Sequence, residues 1–257
     1  MLELYHSGLS TCSKQVRHCL KEKGVGYKSH YIELWRYENL NPAYLALNPN
    51  GVVPTLVHDG VPIINAPAIC EYIDEAFDGP PLKPDDLKDR ARMRHWIITG
   101  DDVHQAIINL TFTINLKSMV EELSEADKEQ MIAATPMPER RARWVRMAGE
   151  GYTDADLNAA LDKVTYVVDW LERELEATGW LAGPRFSLAD LYLLSHVHRI
   201  RELYPDRVDP AKYPRVNDWR DRLMARPAAA EVYAPGTDET PKRPGGKSIE
   251  GMWAATI

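Results

Sequence analysis

The chain has 257 residues, of which 44% are hydrophobic and 27% charged, proportions of a folded globular protein and not of a disordered or fibrous one. That length accommodates one large or two modest domains, each able to bury its own core, and two is the better expectation. A formal net charge of -7 argues against nucleic acid as the main partner, because neutralising phosphates requires a basic face. The opening Met1-Leu2-Glu3-Leu4-Tyr5 carries no leader pattern, and no apolar run approaches membrane-spanning length, so a cytoplasmic protein without a membrane partner is expected. Cys12, Cys19 and Cys70 form an odd set without metal-ligand spacing, which supports neither a disulfide framework nor a metal site.

Leu2–His6 alternates apolar and polar residues as a strand does, and Gly8-Leu9-Ser10-Thr11-Cys12-Ser13 leads into a helical pattern with Val16, Cys19 and Leu20 on one face. Gly24 ends that helix, and residues 27–34 read as a second strand, parallel to the first across the helical crossover. A short helix through Tyr44 and Leu47 precedes Asn48-Pro49-Asn50-Gly51-Val52-Val53-Pro54, a turn followed by an edge proline. A cis Val53-Pro54 bond would leave the preceding backbone N–H and C=O facing outward, where a peptide can pair with them. Residues 53–58 and Val61–Ile64 flank Asp59-Gly60, a two-residue hairpin signal, and a helix follows over residues 68–77.

Gly79-Pro80-Pro81-Leu82-Lys83-Pro84 cannot continue a helix, and strand signals cease beyond it. The expected organisation is a mixed α/β domain over residues 1–79, a linker over 80–84, an all-helical domain over 85–234 and an irregular tail over 235–257 that includes Trp253. Long helices are expected through Trp96 to about residue 116, over residues 154–177 and over 188–203, with further turns around Trp219 and Leu223. Phe186-Ser187-Leu188-Ala189-Asp190 has the form of a capping box with an apolar staple, read as a structural device. In Glu139-Arg140-Arg141-Ala142-Arg143-Trp144-Val145-Arg146 the arginines read as a solvated helix face lying over the core. The alternative is a clamp for a carboxylate or an aromatic ligand. Trp96, Phe112 and Trp144 are equally compatible with core and with a ligand wall.

The N-terminal mixed α/β unit with its edge proline, the proline-rich linker and the helical second domain with a capping-box helix together resemble the glutathione transferase family over roughly residues 1 to 230. The resemblance implies a thioredoxin-like N-terminal domain that binds glutathione as co-substrate, joined to an all-helical C-terminal domain. It also implies a two-fold homodimer or a heterodimer with a related chain. Residues 8–13 fall at the family's catalytic position, where a donor must stabilise the thiolate of a thiol whose ordinary pKa is about 8.5. Aligned without gaps to serine-type members, Ser10 is the activating residue. With one gap against cysteine-type members it is Cys12, with Ser13 beside it. The glutathione site implied by the resemblance comprises Asn39, Val53, Pro54, Asn65 and Ala66, with Asp101 reaching the neighbour's glutathione. The helix after the hairpin departs from the family pattern: an acidic residue or Gln followed by Ser normally opens it, and here Asn65-Ala66 lacks both the charge and the hydroxyl. That departure implies weaker glutathione binding by this chain alone.

Within the family, residues 35–54, Ile69-Cys70-Glu71-Tyr72-Ile73 and above all the insertion Pro136-Met137-Pro138-Glu139 running to Trp144, then Gly151-Tyr152, look most like the bacterial β-aryl etherases of lignin breakdown. The reaction this implies is attack of glutathione thiolate on the β-carbon of a small aromatic α-keto β-aryl ether, expelling a phenolate. The alternatives are a subunit that supports a catalytic partner in a heterodimer and a generic glutathione transferase.

Overall fold

The computed structural model describes residues 1–234; the expected irregular tail with Trp253 lies outside the described residues. Strand β1 (Leu2–His6) alternates buried and half-buried side chains, the period-two pattern of a strand with one face on a core. Helix α1 (Thr11–Glu22) starts where the Ser10 hydroxyl accepts the Ser13 amide, buries Val16, Cys19 and Leu20, and ends before Gly24, which is left-handed at φ 67°. Strand β2 (Lys28–Tyr31) runs parallel to β1. It is shorter than the expected residues 27–34, because the chain leaves the sheet for two 3-10 turns, Leu34–Arg36 and Glu38–Leu40, hinged at left-handed Tyr37.

Helix α2 (Pro42–Leu45) leads to the antiparallel hairpin of β3 (Thr55–His58) and β4 (Val61–Ile64). Asp59 and Gly60 both take positive φ, 49° and 82°, as this two-residue turn requires. The sheet order is β2-β1-β3-β4, with β3 antiparallel to β1. Val53 and Pro54, expected within the third strand, precede it. Helix α3 (Ala66–Ala76) starts two residues earlier than expected, capped by Asn65 with a proline in its first turn.

The remaining described regular elements are helical. Helix α4 (Leu87–Thr111) runs into a π-helical turn, Phe112–Leu116, and then α5 (Lys117–Glu121). The turn widens where the Thr111 and Thr113 hydroxyls donate to the carbonyls of Ile107 and Asn109, at 2.7 and 2.9 Å, competing with the regular ladder. Helices α6 (Glu125–Ala134), α7 (Pro138–Ala148), α8 (Asp154–Thr178), α9 (Leu188–Leu203), α10 (Pro214–Met224) and α11 (Pro227–Val232) follow. Among the described residues no helix is long and apolar enough to cross a membrane.

One continuous apolar core joins Leu4, Val16, Leu20, Leu56 and Ile69 of the sheet and its helices to Trp96, Val164, Leu193 and Trp219 of the bundle. Helices α4 and α9 approach so closely at Gly100 that a Cβ there would lie 2.8 Å from the Tyr192 ring. Trp96 belongs to this core, with its ring 4.9 Å from that of Trp170. A second cluster ties Tyr37 and Leu40 to Val120, Leu123, Met131, Trp144 and Met147, so the segment after β2 packs on the excursion from α5 to α7.

The capping box of α9 does more than end a helix. The fully buried Asp190 carboxylate accepts the Ser187 amide at 2.9 Å, the Leu181 amide at 3.0 Å and the Trp219 indole N–H at 2.9 Å. The Ser187 hydroxyl donates to it as well, at 3.0 Å, so replacing Asp190 with alanine orphans four buried donors. Asp190→Ala should therefore lower unfolding free energy in urea by about 3 to 5 kcal/mol, against about 1 kcal/mol for Ser187→Ala. Equal midpoints for wild type and Asp190→Ala would contradict this account.

Candidate active site

Between the sheet's helix-bearing edge and the α4–α7 excursion lies a cleft of about 520 Å³. Its floor is main chain. The Asn48 side chain, fully buried, donates to the Val52 carbonyl at 2.8 Å and the Thr55 hydroxyl at 3.0 Å, and Tyr44 donates to the same carbonyl at 2.6 Å. Asn39 donates its amide to the Gly51 carbonyl at 2.8 Å. These bonds satisfy the turn from inside. The Val53-Pro54 peptide is cis, and the Val53 amide and carbonyl make no hydrogen bond among the described residues. An extended peptide laid along this edge would find one donor and one acceptor waiting.

Two helix N-termini open onto the same floor. At α1, Ser10 uses one lone pair to accept the Ser13 amide at 3.1 Å, which leaves its O–H free to donate into the cleft. No acidic residue occupies the first turn of α1 or of α3, so neither positive helix end is neutralised from within its own helix. Asn65, ahead of α3, sits at φ 76° and ψ 115°, a conformation that disfavours any residue with a Cβ. Asn65, Ala66 and Pro67 all line the cleft.

Cys12 lines it too, and its Sγ lies 3.5 Å from His104 Nε2. Burial, aided by the charge of Asp101, pushes the thiol up to about 12, while burial holds the His104 imidazole well below its ordinary range. The pair is therefore a neutral thiol beside a neutral imidazole near pH 7 and not a thiolate–imidazolium dyad. Asp101 accepts the Tyr192 hydroxyl at the edge of its own chain's cleft.

The opposite wall is apolar and aromatic, with Trp35, Tyr37, Phe112, Met119 and Trp144 among its members, and it carries two guanidiniums from α7, Arg140 and Arg143. Arg143 is buried, donating to Asn109 Oδ1 at 3.2 Å and Gln105 Oε1 at 2.9 Å, and lies over the Phe112 ring. The expectation of a wholly solvated arginine face is corrected here: Arg141 and Arg146 point outward, whereas Arg140, Arg143 and Trp144 share the face that α7 turns to the cleft. Three-residue spacing puts Arg140 and Arg143 on one side of a helix, a signal that was visible in the sequence once the docked face is known.

The structure brings Ser10, Cys12, Asn39, Val53, Pro54, Asn65, Ala66 and Asp101 together around this cleft. Ser13 is the exception. Its side chain is fully buried, with the hydroxyl accepting the Ser7 amide at 3.3 Å, so it supports the loop from beneath and does not line the cleft. Of the three candidate aromatics, Phe112 and Trp144 reach the cleft and Trp96 does not.

Residues 9–76 match the N-terminal domain of glutathione S-transferase and residues 142–222 match its C-terminal domain. The chain belongs to the glutathione S-transferase family. Enzymes of this family use glutathione as co-substrate. Over 239 residues the chain is 29% identical to Protein LigF of Sphingobium sp. strain SYK-6, covering 90% of this chain and 93% of the relative. It is 31% identical to maleylacetoacetate isomerase of Pseudomonas aeruginosa over 245 residues, or 93% of this chain and 99% of that one. The crystal structure of β-etherase LigF from Sphingobium sp. strain SYK-6 superposes with a TM-score of 0.85, covering 90% of this chain and 98% of that chain at 29% identity.

A protonated Cys12 should be dispensable for a thiolate generated on a co-substrate. Cys12→Ala is expected to keep turnover within about two-fold, and iodoacetamide labelling of the native protein should stay slow until well above pH 9, roughly the ordinary cysteine range. Cys19 and Cys70 are buried, so native-state labelling reports on Cys12. Rapid labelling at pH 7 would overturn the assignment of a neutral thiol.

Proposed function

We propose that this glutathione transferase is a β-etherase, cleaving aryl ethers whose β-carbon is activated by an adjacent ketone. The observation that carries this reading is the composition of one cleft: an unpaired main-chain edge and a free serine hydroxyl at a helix N-terminus face an aromatic wall. The likeness to LigF over nearly the whole of both chains supports it.

In the proposed reaction the Val53 main chain pairs with the cysteinyl segment of glutathione, which leads its sulfur toward the start of α1. The Ser10 hydroxyl donates to the sulfur, and the uncompensated N-terminus of α1 adds positive potential, so the thiolate is favoured over the thiol at neutral pH. The thiolate attacks the β-carbon as the carbon–oxygen bond breaks. A thioether forms, the bonding pair leaves on the phenolate oxygen, and the stereocentre inverts. The carbonyl beside that carbon lowers the barrier, and the enzyme supplies alignment and exclusion of water. Phe112, Trp144 and their neighbours hold the rings of the electrophile.

A second reading, a subunit that supports a catalytic partner in a heterodimer, is favoured by the start of α3. There Asn65 brings no charge and Ala66 no hydroxyl to the γ-glutamyl end, leaving the Ala66 amide and the helix dipole as the binding features. Calorimetric titration with glutathione separates the two. Micromolar binding by the chain alone supports independent catalysis, and binding no tighter than millimolar supports the partner role. Ala66→Ser, which restores a donor at the helix start, should tighten glutathione binding by about ten-fold.

Ser10 both caps α1 and faces the sulfur, so its variants must separate stability from turnover. Ser10→Ala should cost about 1 kcal/mol of stability, and Ser10→Gly only a few tenths. Both should lose about 100-fold in kcat on a β-aryl ether ketone. Turnover that tracks stability across the two variants would remove Ser10 from the chemistry.

A further inference from the structure

Helix α7 leaves a positive charge in the cleft with no partner. The half-buried Arg140 lines the cleft and makes no hydrogen bond, ion pair or ring contact among the described residues. Its neighbour one turn on, Arg143, has side-chain partners that are neutral, the amides of Asn109 and Gln105 and the face of Phe112, so neither guanidinium has a carboxylate partner among the described residues. Two carboxylates also line this space. Asp101 is engaged by the Tyr192 hydroxyl, and the exposed Glu139 forms no ion pair with either arginine. Burial and the repulsion of Arg143 hold the Arg140 guanidinium down at about 10, outweighing the opposite charge of Glu139.

A desolvated guanidinium without a counter-charge is unfavourable, and a ligand that brings the anion recovers the difference. The surroundings restrict what that ligand is. Met137, Trp144, Phe112 and Leu116 line the same cleft as Arg140, an apolar and aromatic lining that suits a ring and not a hydrated ion such as inorganic phosphate. The forked, planar donor set of an arginine matches a carboxylate.

We propose that Arg140, reinforced by Arg143, is a carboxylate subsite for the electrophile, and that the second substrate is an aromatic acid: an aryl ether carrying a ring-borne carboxylate. This rests on the etherase reading for the identity of the bond broken, but not for the binding of the acid. Arg140, Ser10 and Cys12 line the same cleft, so a carboxylate-bearing ring held by Arg140 shares that space with the start of α1, where the sulfur arrives.

The test has a binding arm and a turnover arm. In the first, 4-phenoxybenzoate and its methyl ester are titrated calorimetrically into the full-length protein. The acid should bind about ten-fold or more tightly than the ester. Arg140→Met and Arg140→Gln, which disturb no contact of the fold, should abolish the difference by weakening the acid alone, while Arg140→Lys should retain part of it. Equal affinity of wild type for acid and ester, or equal loss of both in the variants, overturns the subsite. In the second arm, phenacyl ethers of 4-hydroxybenzoate and of its methyl ester are offered with glutathione. A lower KM for the acid that disappears in Arg140→Met supports the proposal. Discrimination in binding without cleavage of either ether leaves the subsite standing and removes the etherase reading. If Arg140→Met slows both ethers alike and raises the pKa of bound glutathione, read from thiolate absorbance, the guanidinium serves the sulfur and the proposal fails.

Discussion

The geometry of the cleft depends on one buried polar tie. Helix α1 carries the loop of Ser10 at its start, packs on the sheet along one face and on α9 along another. Gln15, fully buried in the middle of α1, donates to the Tyr192 carbonyl at 3.2 Å and the Ser195 hydroxyl at 2.9 Å. The N–H groups of this buried amide are paired in the present register of α1 against α9 and would lose both acceptors in another, which penalises slippage. Tyr192 then transmits the register. Its ring rests against Gly100 of α4, and its hydroxyl donates to Asp101 on the same helix. Arg199, one turn beyond Ser195 on α9, donates to the Leu9 carbonyl at 2.8 Å and so holds the loop beside Ser10 from the far side. Both walls of the cleft are thereby referred to α9.

The same arrangement divides recognition between backbone and side chains. Along Val52-Val53-Pro54 the turn is braced by side chains from outside it, those of Asn39, Tyr44 and Asn48, and the Val53 main chain is left unpaired. Such a surface tolerates replacement of Val52 or Val53 by residues of similar bulk. The start of α3 is different, because there the strained Asn65 backbone aims a helix end that carries no hydroxyl at position 66. An intact main-chain half and a reduced side-chain half are compatible with correct placement of glutathione at lower affinity. Placement governs kcat and affinity governs KM, so the departure at Asn65-Ala66 bears more on saturation than on chemistry.

Much of the fold was legible in the sequence because its signals are local. The alternation of β1, the Asp59-Gly60 turn, the proline before β3 and the Ser187–Asp190 box each draw on backbone geometry within a few residues. What escaped depends on tertiary partners. Residues 32–34 have strand-like composition, yet the chain leaves the sheet because Tyr37 and Leu40 find a second apolar cluster under α7. Ser13 and Ser10 are both small hydroxyl residues at a helix start; only the helical rotation between them puts one under the loop and the other in the cleft. Arg140 and Arg143 look like a solvated face until α7 is docked against α4, since the residues that turn them inward, Gln105, Asn109 and Phe112, lie some thirty positions away. Trp96 and Trp144 are chemically identical, and their separation into core and cleft is likewise settled by which helix faces which.

A net charge of -7 repels anions at long range, yet the cleft gathers positive potential. The helix ends of α1 and α3, neither with an acidic residue in its first turn, and the two guanidiniums of α7 converge there from three directions. Surface charge is screened over about 8 Å at physiological ionic strength, while charges facing one another across a partly buried cleft are screened much less. The distant acidic surface therefore contributes little at the site, and the local groups dominate. Bringing a thiolate against an electrophile that itself carries a carboxylate places two negative charges in one small space. Their repulsion would oppose the approach of sulfur to carbon unless each anion were held by its own cation. Helix dipole and Ser10 on the floor, with Arg140 and Arg143 on the wall, provide that separation.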